Sequence, residues 1–169
     1  IDENIDVYGA SMSRGFEIAK NLEAKGYDVI IARGGTEIIL KSSELTTPIV
    51  GLPITPIDIH RTLKEVSNNK KNIYFVIFEN MLTAVEQYEE ITNTFYPKYI
   101  VKDEKEVRDA INDISNKEVD VVVGGGIITK FTEEKGLKSL VIKTGKEAFI
   151  SAILEAKRLA KATRKEKER

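Results

Sequence analysis

Runs of β-branched and aromatic residues alternate along this chain with amphipathic stretches. That alternation leaves few folds open, because parallel strands are joined only through a crossover, usually a helix. Strands are expected at Ile5 to Tyr8, Asp28 to Ala32, Pro48 to Leu52, Ile73 to Phe78, Lys98 to Val101, Val119 to Val123 and Ser139 to Ile142. Ser11 or Ser13 can cap a helix that runs to about Ala24, with Phe16, Ala19, Leu22 and Ala24 facing inward and Gly26 stopping it. A short helix follows Thr36 and is over by about Lys41; the next opens at Pro56, turns Ile57, Leu63 and Val66 inward and ends at Asn68-Asn69. Further helices are expected from Met81 to Thr92, from Glu104 to Ser115 and from Ile127 to Lys135.

The alternation pauses at the charged, turn-like segment Ser67 to Asn72 and then restarts, which divides the chain into two lobes. The second lobe has four strands and three connecting helices, the first only three strands. The first lobe therefore looks one strand–helix pair short, and Ile1 is read as a boundary inside the domain, a complete three-stranded lobe being the alternative. The last helix, Lys146 to Lys167, spans about 30 to 35 Å. Ala148, Phe149, Ala152, Ile153, Ala156, Leu159 and Ala160 give it an apolar stripe, whereas every residue after Ala162 except Thr163 is charged. It is expected to pack first and then project, either as a solvated end or as a linker into a following domain.

With 169 residues, 41% of them hydrophobic, the chain can bury a core of its own. Cysteine is absent, and no basic stretch leads into an apolar run at the start, so the chain is read as cytoplasmic. The apolar run Val119 to Ile128 is too short and too interrupted to span a bilayer. Lysine plus arginine (26) nearly balance aspartate plus glutamate (27), which gives no positive field for gathering phosphates and argues against direct nucleic-acid contact. His60 is the single histidine, so a zinc site or a catalytic triad has no support and His60 reads as a surface residue. No cofactor and no metal are expected.

Arg33-Gly34-Gly35-Thr36 follows an apolar strand and opens a helix, at the carboxyl edge where ligands of such sheets bind. Glycines there let backbone N–H groups approach an anion, the helix N-terminus favours negative charge, and Arg33 can supply a bidentate partner. The bland alternative is a tight turn with an exposed arginine. Gly124-Gly125-Gly126 holds the equivalent place in the second lobe, as a facing loop or as a plain flexible turn. It is not a P-loop, because Lys130 is followed by Phe131; Gly145-Lys146 likewise lacks a following Ser or Thr. Ser11, Ser13 and Arg14, then Thr55 and Asp58, then Glu79 and Asn80, stand at other strand-to-helix junctions, and Thr144-Gly145-Lys146 follows the last strand. Helix capping alone accounts for most of these; the functional reading is that caps on one cleft edge also hydrogen-bond a ligand.

Taken in order, Ile30-Ile31-Ala32-Arg33-Gly34-Gly35-Thr36, Ile54-Thr55-Pro56-Ile57-Asp58-Ile59, Phe78-Glu79-Asn80, Val119 to Gly124 and Thr144-Gly145-Lys146-Glu147 resemble the N-terminal receptor domain of propionate catabolism regulators of the PrpR type. The resemblance spans nearly the whole chain. It implies a chelatase-like duplication of three-layer α/β/α lobes with parallel sheets, the C-terminal helix returning to the first lobe, so that residues 1–70 with 143–169 form one lobe and 71–142 the other. It also implies an effector cleft between the lobes, where Ser11, Arg33 to Thr36, Thr55, Asp58, Asn80, Gly124 to Gly126, Thr144 and Lys146 would bind a small organic acid, 2-methylcitrate in the founding regulators. Family members continue into an ATPase module that activates sigma-54 RNA polymerase and into a DNA-binding helix-turn-helix. The all-glycine loop at Gly124 to Gly126 departs from the family pattern, in which a polar residue stands among the glycines. Whether the chain forms a homodimer is left open.

The leading expectation is a sensor domain without catalytic activity. A phosphate-accepting receiver domain would need an acidic pair and an aspartate at a strand end, where this chain has Ile31-Ala32-Arg33-Gly34. A small enzyme acting on a phosphorylated or carboxylated metabolite, with Asp58, Glu79 or Lys146 as acid or base, is the alternative that fold leaves open. Gly145, at the root of the last helix, is expected to use a backbone angle that only glycine tolerates easily.

Overall fold

Strands and helices alternate through residues 5–10 and 12–168, which the computed structural model describes. The order is α1 (Met12–Ala24), β1 (Ile30–Ala32), α2 (Gly34–Lys41), β2 (Ile49–Gly51), α3 (Pro56–Leu63), β3 (Ile73–Phe78), α4 (Glu79–Thr92), β4 (Lys98–Val101), α5 (Glu104–Ile114), β5 (Val121–Gly124), α6 (Ile128–Glu134), β6 (Ser139–Val141) and α7 (Lys146–Lys167). All pairings are parallel, as helical crossovers require, in a β1-β2 sheet and a β4-β3-β5-β6 sheet. This is a two-lobe α/β fold.

The second sheet dominates the core. Its central strands β3 and β5 are almost wholly buried, and Phe75, Ile77, Val122 and Val123 are fully inaccessible under α4, α5 and α6. Burial of each such side chain contributes about 1.5 to 3 kcal/mol, so this lobe carries most of the stabilisation. The first sheet is half-covered: Val50 and Leu52 pack against Ala152 of α7, with Ala148, Ala156 and Leu159 alongside. The C-terminal helix thus returns to the first sheet.

Three expectations need correction. Residues 5–8 are not a strand: the segment 5–10 has no strand partner and meets the fold through Asp6 and Tyr8 at the Tyr27 hydroxyl, so the described part of the first sheet has two strands rather than three. Ile57 and Ala24 face solvent, Ile57 being 58% exposed, while Asp58, Ile59 and Thr62 take the buried face of α3. The charged end of α7 does not simply project, because Arg164 donates through Nε and Nη2 to Asp28 Oδ2 at 3.1 and 2.7 Å, just before β1.

Candidate functional site

At the end of β1 the chain turns through Arg33, in extended conformation, into Gly34 at φ +56°, a left-handed angle that favours glycine. Gly35 is fixed by space: a Cβ there would stand 2.5 Å from Phe78 Cζ and 2.6 Å from Met12 Sδ. Two glycines let the first lobe close directly onto the end of β3. The Thr36 Oγ1 accepts from the Met12 N–H at 2.9 Å, which ties the start of α2 to α1.

Arg33 is half-buried, and its Nη1 donates to the Ile142 carbonyl (2.5 Å) and to Thr144 Oγ1 (2.9 Å), in the crossover from the second sheet to α7. Burial lowers its pKa from the ordinary value, and the negative charge of Asp58 opposes that shift. Asp58 is itself buried and completes a capping box at the start of α3: the Thr55 N–H donates to its Oδ2 (2.9 Å) and its own N–H to Thr55 Oγ1 (3.3 Å). Its other oxygen, Oδ1, lies 3.8 Å from Arg61 Nη1 and would be 3.0 Å from a Cβ on Gly145. Gly145 has φ −72°, which any residue adopts, so its constraint is this crowding rather than the expected special angle.

A cavity of about 290 Å³ opens beside this cluster. Arg33, Gly34, Glu37 and Lys41 of the first lobe form one wall, and Asn80 and Met81, at the start of α4 after β3, form another. The floor is Gly51, Leu52, Pro53 and Ile54, the carboxyl end of β2. Glu37 lies in the first turn of α2, four residues after Arg33, which precedes the helix as its N-cap; its Oε2 accepts from Lys41 Nζ at 2.8 Å and its Oε1 from Asn80 Nδ2 at 3.2 Å. Asn80 Nδ2 also donates to the Gly34 carbonyl at 3.0 Å, tying the two lobes together. A Cβ on Gly51 would stand 2.5 Å from Glu37 Cδ, so the glycine makes the recess in which that carboxylate sits.

Of the residues singled out in the sequence, Arg33, Gly34 and Asn80 line this cavity. Thr55 and Asp58 lie behind Arg33 as a helix cap, as the bland reading had it. Gly124 is packed on the Val76 carbonyl, a Cβ on Gly125 would touch Met81 Cε at 4.0 Å, and one on Gly126 would meet nothing within 4 Å. Met81, whose Sδ is 3.6 Å from the Cβ position of Gly34, therefore stands between the two glycine loops. Thr144 lines a second, smaller cavity of about 110 Å³ with Arg61, Thr62, Glu65, Lys143 and Gly145. Lys146 is exposed at the start of α7, and Ser11 lies outside the described residues. Glu37, Lys41, Gly51 and Met81 were missed; the i to i+4 spacing of Arg33 and Glu37 was the one available signal. Among the described residues no cluster of three His, Asp or Glu is placed to hold a metal ion, and no helix is long and apolar enough to cross a membrane.

Comparison with known proteins gives a match, over residues 2–166, to a family described as propionate catabolism activator. A crystal structure of an NtrC family transcriptional regulator from Clostridium acetobutylicum has the same fold, with a TM-score of 0.80 and 23% identity over 91% of this chain and 81% of that one. A glutamate racemase from Bacillus anthracis (TM-score 0.36, 15% identity, 88% of this chain and 66% of that one) is far less similar. So is the ABC domain in complex with L-Trp from Streptococcus pneumonia (TM-score 0.42, 16% identity, 76% and 58%).

Proposed function

The chain belongs to the propionate catabolism activator family, as the N-terminal sensor domain of a transcription regulator, and we propose that it reports the level of a small organic acid bound between its lobes. One observation carries the reading: the carboxyl edges of both sheets contribute to a single cavity, Arg33 from one and Asn80 from the other. Ligands of open α/β sheets bind at that edge, and a ligand touching both lobes has different contacts in open and closed forms, which is the requirement for a signal. Arg33 takes a carboxylate through its remaining N–H groups, and Asn80, whose amide nitrogen is bonded to Gly34 O and Glu37 Oε1, offers its Oδ1 as an acceptor to the rest of the ligand.

In this reading residues 1–70 with 143–169 form the first lobe and 71–142 the second. Downstream ATPase and DNA-binding modules of a sigma-54-dependent regulator are the partners in the full-length protein, this domain makes no direct nucleic-acid contact, and its compartment is the cytoplasm. No acid–base pair in the cavity is arranged for turnover: its one carboxylate, Glu37, is bonded to Lys41. In this reading the domain is a receptor rather than a catalyst. Isothermal titration with 2-methylcitrate, citrate, succinate, propionate and lactate tests this. At least one should bind with an affinity that Arg33→Ala weakens by about 1.5 to 3 kcal/mol, the scale of a charge-assisted hydrogen bond. No binding by any of them, or binding indifferent to Arg33→Ala, would overturn the assignment.

A further inference from the structure

The charges around the cavity limit what an effector can be. Three ionised side chains line it, Arg33, Lys41 and Glu37, and two of them cancel, because Lys41 Nζ sits 2.8 Å from Glu37 Oε2. Arg33 is left as the one cation without a carboxylate in the cavity wall, and Asp58 already lies close enough behind it to oppose its burial shift. A tricarboxylate held here would bring at least two charges with no counter-charge among the lining side chains, and unpaired charge is disfavoured to the extent that the ligand is enclosed. Acceptors, by contrast, are in supply. Each Glu37 oxygen has lone pairs beyond the bonds from Lys41 and Asn80, and Asn80 spends both amide hydrogens on Gly34 O and Glu37 Oε1, which leaves its Oδ1 as an acceptor. At about 290 Å³ the cavity is also at the small end of the range for ligand pockets, roughly 300 to 1,000 Å³.

Resting on the reading of this cavity as the effector site, we infer that the effector is a small monocarboxylate with a hydrogen-bond donor next to it, a hydroxy acid or an amino acid, rather than a di- or tricarboxylate. Arg33 takes the carboxylate, and Glu37, which lines the same cavity from the first turn of α2, accepts from the hydroxyl or ammonium group. The recess at Gly51 belongs to the same design, since any side chain there would push the Glu37 carboxylate out of its place. Glu37 is in this sense the residue that sets specificity, and Arg33 the residue that sets affinity.

The test compares propionate, lactate, alanine, succinate and citrate by titration against the wild-type chain, Glu37→Gln and Gly51→Ala. Lactate or alanine should bind about tenfold or more tightly than propionate, and which of the two does so tells hydroxyl from ammonium. Glu37→Gln should abolish the preference for an ammonium donor, or cut that for a hydroxyl, and because it also frees Lys41 it should leave propionate bound at least as tightly as by the wild type. Gly51→Ala should lower the preference without removing a charge. Tighter binding of citrate or succinate than of lactate and alanine overturns the monocarboxylate inference while leaving the sensor reading intact. A preference for lactate or alanine that survives in Glu37→Gln overturns the role of Glu37; no binding by any of the five overturns the monocarboxylate inference, and it overturns the sensor reading as well only if 2-methylcitrate also fails to bind. Circular dichroism of each variant separates loss of binding from loss of fold.

Discussion

Arg33 faces two ways, and its two bonds to Ile142 and Thr144 make it structural before any ligand arrives. Arg33→Ala should therefore also loosen the crossover ahead of α7, seen as faster amide exchange near Thr144 in the absence of effector; unchanged exchange there would confine Arg33 to ligand binding. Glu23 makes a comparable clamp by another means. Its Oε1 accepts from the N–H and Oγ1 of Thr46 and of Thr47, at 2.7, 3.1, 2.6 and 2.7 Å, which anchors the approach to β2 on α1. Those bonds, the Thr47 side chain first, hold the Glu23 carboxyl below its ordinary value. A depressed carboxylate pKa stabilises the fold above the unfolded value near 4.3, and the contribution is lost as pH falls through the folded one. The stability gap between wild type and Glu23→Gln should therefore be present at pH 7 and narrow below about pH 4. A gap that stays constant across that range would show that ionisation of Glu23 is not its source. Neither residue's partner was legible in the sequence, since 109 and 24 positions separate the bonded pairs. The importance of Arg33 was legible, because its place between a strand and two glycines is a local pattern.

Elements were legible where an apolar run or an amphipathic stripe gave them a length. β3 and β4 fall on the expected residues, Ile73–Phe78 and Lys98–Val101, and α7 on Lys146–Lys167. The phase of α3 was not, and the reason is chemical. Asp58 and Thr62 can be buried because each is satisfied locally, Asp58 by the Thr55 N–H and Thr62 Oγ1 by donating to the Asp58 carbonyl at 2.8 Å, and this leaves Ile57 to solvent. A hydrophobic stripe read from the sequence assumes that polar groups stay out. α4 shows the same effect at its far end, where Asn93 closes the helix in the left-handed conformation, φ 51°, and buried Glu89 receives Lys98 Nζ at 2.6 and 2.8 Å and the Tyr96 N–H at 2.8 Å. This network fixes the end of α4 to the start of β4. Glu89→Ala strands Lys98, which is 21% exposed, and should cost on the order of 3 kcal/mol in urea denaturation. A midpoint within experimental error of wild type would mean that water replaces the carboxylate at no cost.

At the scale of the molecule, two lobes were legible because the strand–helix alternation restarts after Asn72, whereas their contact was not, because it is made by Asn80, Met81 and Phe78 against Gly34 and Gly35, far apart in sequence. The all-glycine loop at Gly124 to Gly126 was expected as the opposite jaw; Met81 stands between its Gly125 and the Gly34 of the Arg33 loop, a neighbour that the sequence did not indicate. This contact makes the molecule suited to switching. In the proposed reading, a carboxylate drawn to Arg33 and a donor drawn to Glu37 would act on a helix whose neighbour across the cavity is Asn80, while Arg33 also holds the crossover at the root of α7. α7 packs on the first sheet through Ala148, Ala152, Ala156 and Leu159, so a shift at its root is carried along a rigid element. A ligand moves such an equilibrium only by its difference in affinity between the two forms, and about 1 to 3 kcal/mol is the usual scale of coupling. Gly145→Val gives a direct handle on it. Its side chain would crowd Asp58 Oδ1 and Arg61 Nη1, both 3.0 Å from the Cβ position, without demanding an unusual backbone angle. The variant should remain folded and still bind an acid that the wild type binds, while effector-induced protection of amides 142–148 is reduced and compaction in small-angle scattering is lost. If protection and compaction persist in Gly145→Val, closure does not depend on the root of α7, and the contact between Asn80 and Gly34 is the remaining link between the lobes through which the effector acts.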